Sequence, residues 1–183
     1  MFSGGEPTRQ AALIPAARRV RELGFLVGLH TGGAYPQRLA QLLEAGLLDW
    51  VGLDVKGLPQ NYPQVVGRSQ AHRAGTDAWQ ALDLVLAEHR AGTLPDYEVR
   101  VTAYPGTEAG DTNPSALPAL ARALHERGVE RLALQQARPD GTRPEFQGLY
   151  AADQNQSFAA DLAAQAGELK AMFTHFEFRG SAG

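Results

Sequence analysis

The chain has 183 residues, a formal net charge of −3, 44% hydrophobic and 20% charged residues, and no cysteine. This composition predicts one soluble, cytoplasmic domain, because no basic stripe suits nucleic acid, no apolar run approaches the roughly 20 residues of a membrane span, and no signal peptide is recognisable. Without cysteine, the chain itself excludes disulfides, thiolate nucleophiles and cysteine-ligated zinc or iron–sulfur centres.

The N-terminal segment Gly4, Gly5, Glu6 and Pro7 combines residues that suit a ligand-binding turn. Two adjacent glycines let the backbone approach a ligand closely, because no Cβ intervenes and a positive φ costs nothing. Glu6 adds a carboxylate, and Pro7 fixes the exit towards a helix. We interpret the segment as a small-molecule cradle at the end of a strand. A plain tight turn with a solvated acid is the alternative.

The next residues alternate between helical and extended patterns. Residues 11–23 have helical spacing and Gly24 is expected to end that helix, after which residues 25–30 form a nearly all-apolar run. Such a run is typical of a parallel strand covered on both faces. A second helix lined by leucines is expected to end at Gly46, and residues 48–56 follow as a strand.

The second half repeats the same unit. Apolar residues predict helices around Trp79, Leu120 and Phe158, while residues 98–104, 131–136 and 173–178 read as strands. The alternation predicts a parallel sheet of right-handed βαβ units, which fits either an open doubly wound sheet or a partial barrel. Residues 57–75 form a long polar connection, and such connections are often functional, while residues 106–114 form a second polar loop.

Polar residues gather at the predicted carboxyl ends of the strands, where sites lie in such folds. Asp54 and Lys56 are two apart and are expected on one face, to meet a ligand or to form an internal salt bridge. His30 is, taken by itself, a satisfied core histidine. Arg100 faces away from its apolar neighbours, either into a barrel or towards solvent. The histidines at 72, 89, 125 and 175 lack metal-ligand spacing and are expected to be solvated.

Five segments, residues 2–7, 30–33, 48–56, 97–102 and 134–135, together resemble radical S-adenosylmethionine enzymes. Among these, the chain is most similar to anaerobic ribonucleoside-triphosphate reductase activating proteins. The resemblance implies an α/β fold, a partial (βα)6 TIM-like barrel that lacks its first strand and most of its second. Residues 1–183 would form this single, incomplete domain.

The same resemblance implies which residues bind S-adenosylmethionine. Gly4, Gly5 and Glu6 would hold the methionine amino group. His30 and Thr31 would lie near the ribose. Asp54 and Lys56 would meet the methionine end, and Arg100 is a possible further contact. No catalytic residue and no metal ligand is assigned.

The family cleaves S-adenosylmethionine reductively at a 4Fe-4S cluster, and the resulting radical abstracts a hydrogen from a glycine of the partner, here an anaerobic ribonucleotide reductase. Its cluster ligands belong to a Cys-x3-Cys-x2-Cys loop that this chain lacks, so we expect that the chain cannot perform this chemistry by itself. A truncated gene, a misassigned start codon or a deliberately shortened chain would each explain the difference. Two alternatives are a non-catalytic remnant that binds S-adenosylmethionine, a nucleoside or a partner, and a radical enzyme with another substrate such as a deazapurine precursor.

Overall fold

The computed structural model describes residues 1–63, 73–105, 116–138, 147 and 152–180. The connection at 106–114, the central part of the connection at 57–75 and His72 lie outside the described residues. Among the described helices, none combines the length and the apolar character needed to cross a bilayer. The strands are β1 Gly28–Thr31, β2 Trp50–Asp54, β3 Asp96–Ala103, β4 Arg131–Gln136 and β5 His175–Arg179, and the helices are α1 Leu13–Glu22, α2 Pro36–Glu44, α3 Ala74–Arg90, α4 Leu117–Glu126 and α5 Ala152–Leu169.

The five strands form one parallel sheet in the order β1-β2-β3-β4-β5, which confirms the predicted parallel α/β fold. Each strand lies beside its predecessor, whereas a doubly wound sheet reverses its order part-way across. With right-handed crossovers, a sequential order places the connecting helices on one face of the sheet.

The two faces of the sheet differ in chemistry, as β3 shows most clearly. Every second residue from Tyr97 to Ala103 is buried, whereas the residues that alternate with them, from Asp96 to Thr102, are half-buried. The register continues this division, because Val99 pairs with Leu53 and Leu132, while Arg100 pairs with Asp54. One face therefore packs on helices. The other, which we call the open face, carries charged and polar side chains.

The segment before β1 differs from its prediction. The strand begins only at Gly28, and Phe25 and Leu26 are 64% and 78% exposed. The predicted parallel strand is present from Gly28, but its predicted start at Phe25 is wrong, since the apolar residues before Gly28 lie in a loop. Phe2 forms a parallel bridge with Leu29 at the edge of the sheet, as the end of a strand would.

The segment after β2 is fixed against α3. The indole N–H of Trp79 donates to the Gly57 carbonyl at 3.0 Å, and the Lys56 N–H donates to the Tyr62 hydroxyl at 3.0 Å. Burial raises the pKa of Tyr62 to about 12, so its hydroxyl stays neutral. These bonds fix the backbone that carries Lys56 to the open face.

Gly75, in the first turn of α3, allows the closest part of this packing. A Cβ at Gly75 would lie 2.1 Å from the carbonyl oxygen of Pro59, which is a backbone atom and cannot move aside as a flexible side chain could. We predict that Gly75→Ala lowers the free energy of unfolding by about 1–3 kcal/mol. Urea denaturation monitored by circular dichroism measures this change in the free energy of unfolding.

Gly167, in α5, provides the matched control, because a Cβ there would meet nothing within 4 Å. Gly167→Ala should raise the free energy of unfolding by about 0.5–1 kcal/mol, as expected for an unhindered helical glycine. Equal effects of the two substitutions would contradict the packing described for Gly75.

Candidate functional site

A cavity of about 300 Å³ opens at the carboxyl end of the sheet, between the N-terminal segment and the open face. This volume is near the lower limit for small-molecule sites, roughly 300–1,000 Å³. Residues from four separate segments line it. They are Ser3, Gly4, Gly5, His30, Thr31, Gly32, Asp54 and Arg100.

Six of the eight residues predicted from the sequence thus border one cavity, which we call the first cavity. A larger cavity of about 420 Å³ lies at the amino ends of the strands, near Trp50, Arg131 and His175. Ligands of parallel α/β sheets bind outside the carboxyl ends of the strands, so the first cavity is the better candidate.

Glu6 does not line the cavity but holds its wall in place. Its carboxylate accepts hydrogen bonds from the Thr8 N–H at 3.1 Å and the Thr8 hydroxyl, from the Thr31 hydroxyl at 2.7 Å, and from the Gly32 N–H at 2.9 Å. Both threonines are buried. The acid is therefore not simply solvated. Its observed contacts are all within the chain, and its predicted contact with a ligand stays a prediction.

Gly4 and Gly5 form the turn above the cavity. Their φ angles of +90° and +55° lie in the left-handed region that favours glycine. An added Cβ at either residue would meet nothing within 4 Å. Glycine is therefore required by backbone conformation, and the space beside the turn is open to a ligand.

Asp54 and Arg100 face each other across β2 and β3. Arg100 Nε lies 3.2 Å from Asp54 Oδ1, yet neither buried atom has a hydrogen-bond partner, because the geometry of the contact is poor. Lys56 lies beyond the end of β2, and its Nζ is 3.8 Å from Asp54 Oδ2. The salt bridge considered from the sequence is present, and it leaves polar atoms that a ligand could engage.

His30 is half-buried and lines the cavity, so it is not the satisfied core histidine that its strand position favoured. Its Nδ1 is buried without a hydrogen-bond partner. Desolvation by burial, and then the positive charge of Arg100, lowers the pKa of His30 below its ordinary value of 6.5. The ring is therefore neutral at pH 7.

Trp50 does not line the first cavity but packs against His30, a contact that was not predicted. Its ring meets the His30 ring edge-on, with centroids 5.0 Å apart. A Cβ on Gly52 would lie 2.3 Å from Trp50 Cη2 and 2.7 Å from His30 Nδ1, so glycine makes room for both rings. The feature of the sequence that could have predicted this contact is an aromatic residue two positions before a glycine in a strand.

Three charged or polar residues, His30, Asp54 and Arg100, therefore line one cavity, and each has one buried side-chain atom without a hydrogen bond. The side chains of Arg100 and Asp54 are 17% and 30% exposed, and their exposed atoms are the ones that a ligand could reach. The set contains a cationic donor, an anionic acceptor and a neutral imidazole. It suits a ligand that presents both donors and acceptors, such as a zwitterion.

The remaining histidines do not form a metal site within the described residues, where no group of three or more His, Cys, Asp or Glu side chains is placed to hold an ion. His89 is not simply solvated as expected, because its Nδ1 lies 2.9 Å from the Leu94 carbonyl oxygen. His125 and His175 are exposed.

Comparison with known proteins gives one partial likeness. The chain is 40% identical over 67 residues to a protein of Methanocaldococcus jannaschii named "Putative glycyl-radical enzyme activating enzyme". The match covers 36% of this chain and 28% of that relative, so it spans little more than a quarter of the relative's length. No protein-family model matches the chain.

The lowered pKa of His30 predicts a pH dependence. Because the unfolded chain binds this proton more tightly, the contribution of His30 to the free energy of unfolding is fully present above pH 6.5 and is lost as the pH falls below it. NMR titration of the imidazole protons should give a pKa below 6.5. A value at or above 6.5 would contradict the described environment.

The hydrogen bonds of Glu6 predict that Glu6→Gln lowers the free energy of unfolding by about 1–3 kcal/mol, because an amide would place N–H donors against N–H and O–H donors. Glu44→Gln, at an exposed position in α2, is the control and should change it by less than about 0.5 kcal/mol. Chemical denaturation of both variants checks this. If Glu6→Gln and Glu44→Gln had similarly small effects on the free energy of unfolding, the Glu6 contacts would not hold the N-terminal segment in place.

Proposed function

We propose that the first cavity binds S-adenosylmethionine and that the chain is part of a radical S-adenosylmethionine activase. The observation that carries the proposal is the convergence of residues 4–5, 30–31, 54 and 100 on one cavity at the carboxyl end of the sheet. The partial likeness to a protein named as a glycyl-radical enzyme activating enzyme supports the same function. A cytoplasmic location goes with it.

The proposal includes a partial (βα)6 barrel. Sequential parallel strand order and a polar open face support it, because a barrel winds its strands in order and directs one face inwards. The open face, on which Asp54 and Arg100 lie, would then be the barrel interior.

The groups around the first cavity fit the two ends of the ligand. The resemblance assigns the methionine ammonium group to residues 4–6. Asp54 would also accept a hydrogen bond from it, and Arg100 with Lys56 would bind the carboxylate. The Gly4–Gly5 turn leaves room for the ligand to approach the backbone, and His30 and Thr31 would lie near the ribose. Thr31 already donates to Glu6 through its hydroxyl, so any contact with the ribose would involve its remaining acceptor capacity.

A 4Fe-4S cluster does not fit the residues of this chain. Such clusters are held by cysteine thiolates, and the sequence contains no cysteine. No step of radical chemistry can therefore be assigned to these residues.

The partner in this proposal is a glycyl-radical enzyme, and more specifically an anaerobic ribonucleotide reductase. The name of the Methanocaldococcus jannaschii relative supports the broader class of partner. Resemblance in the sequence alone supports the narrower one.

The lack of cysteine favours a second candidate, a module that binds S-adenosylmethionine or a related nucleoside without catalysis. The first cavity would then be the whole of the function. A radical enzyme acting on another substrate, such as a deazapurine precursor, would share this cavity, because the residues concerned contact the cofactor.

We predict that S-adenosylmethionine binds the chain and that Arg100→Gln weakens binding roughly tenfold, about the worth of one charge-assisted hydrogen bond. Isothermal titration calorimetry measures both. Arg131→Gln is the matched control, because Arg131 Nε lies 3.3 Å from Asp96 Oδ1 at the opposite end of the sheet and also lacks a hydrogen bond. Equal loss in both variants, or no binding by the folded chain, would refute the proposed site.

The composition gives a prediction about the cluster. Anaerobic reconstitution of the chain with iron and sulfide should yield no stoichiometric 4Fe-4S centre, as judged by charge-transfer absorption and by iron and sulfide content after desalting. A stable, stoichiometric cluster on this chain would overturn the conclusion that its residues do not fit one.

A further inference from the structure

A second cavity of about 300 Å³ lies at the same end of the sheet, beside the first. Thr102 lines it, while Arg100, two residues earlier on the same face of β3, lines the first cavity. The two Cα atoms are separated by roughly 7 Å of strand. The lining residues of this second cavity are Thr102, Gln135, Gln136, Ala137, Arg138, Arg179 and Gly180.

The second cavity has a surplus of hydrogen-bond donors. Gln135 Nε2 donates to the Thr102 hydroxyl at 2.7 Å, which leaves the hydroxyl proton available to donate. Arg138 is exposed, and its guanidinium has no partner among the described residues. None of the described residues that line the cavity carries a carboxylate.

Arg179 retains part of its donor capacity. Its guanidinium donates two hydrogen bonds to Glu98, at 2.7 and 3.0 Å, and one to Glu177 at 2.6 Å. A guanidinium has five N–H donors, so two remain without a partner in the described part of the chain. Its charge is offset by these two carboxylates, so Arg138 is the uncompensated cation among the described residues of the cavity.

We propose that the second cavity binds an oxyanion, the carboxylate or phosphate group of a small ligand. Such a group supplies only acceptors and a negative charge, which match the free donors of Thr102, Arg138 and Arg179. Arg138 contributes most of the attraction. Glu177 opposes it, because its carboxylate occupies one N–H of Arg179 and repels an anion nearby.

Anion binding depends on the second cavity alone. We further propose that the anion belongs to a second ligand lying beside S-adenosylmethionine, and this part rests on the proposed function. Anion binding is measured without S-adenosylmethionine, so a failure of the anion site is distinguishable from a failure of the first cavity.

The experiment is a titration of the uniformly ¹⁵N-labelled chain with inorganic phosphate, and separately with acetate, at constant ionic strength. Amide shifts of residues 135–138 and 179–180 should move in a saturable way. Arg138→Gln should weaken the affinity roughly three- to tenfold, and Glu177→Gln should strengthen it by about two- to fivefold. Arg122→Gln, an exposed arginine in α4, is the control and should leave the affinity unchanged.

Opposite changes in these two variants cannot arise from a general loss of structure, and they would support the site. Saturation by phosphate only would identify a phosphate site, and saturation by acetate only a carboxylate site. The proposal is overturned if neither anion shifts these amides. It is equally overturned if Arg138→Gln and Glu177→Gln leave the affinity unchanged, or if Arg122→Gln weakens it as much as Arg138→Gln.

Discussion

The carboxylate of Glu6 is the contact on which the proposed binding site depends. It accepts four hydrogen bonds, two from Thr8 within its own segment and two from Thr31 and Gly32 at the end of β1. Without them, the Gly4–Gly5 turn would be tied to the sheet mainly through the single bridge of Phe2. The glycines and the acid therefore have different roles, since the glycines leave space for a ligand and the acid fixes where that space is.

The second determinant is the two-residue period of a strand. In β3 it directs Val99 and Val101 towards the helices and Arg100 and Thr102 towards the open face. Parallel pairing then aligns Asp54 with Arg100 and Thr102 with Gln135, so two adjacent polar cavities arise from one alternating strand. The same sheet thus supplies an apolar core and a chemically varied surface.

Much of this architecture follows from the sequence because it is local. Helical spacing, the glycines after the helices and the apolar strands predicted the order of elements, and β4 has the predicted bounds of residues 131–136. Contacts between residues far apart in the sequence could not be predicted in this way. The pairing of Glu6 with Thr31, the edge-on contact of Trp50 with His30 and the exposure of Phe25 depend on which segments the fold brings together.

The chain thus holds residues suited to the organic part of S-adenosylmethionine and lacks the thiolates that an iron–sulfur cluster requires. The first cavity is the proposed binding site of this ligand. A crystal structure of the chain grown with saturating S-adenosylmethionine would test the proposed site. We expect ligand density between the Gly4–Gly5 turn and Arg100, with the methionine ammonium group beside Asp54. Well-ordered crystals with this cavity empty, or with the ligand bound elsewhere, would contradict it.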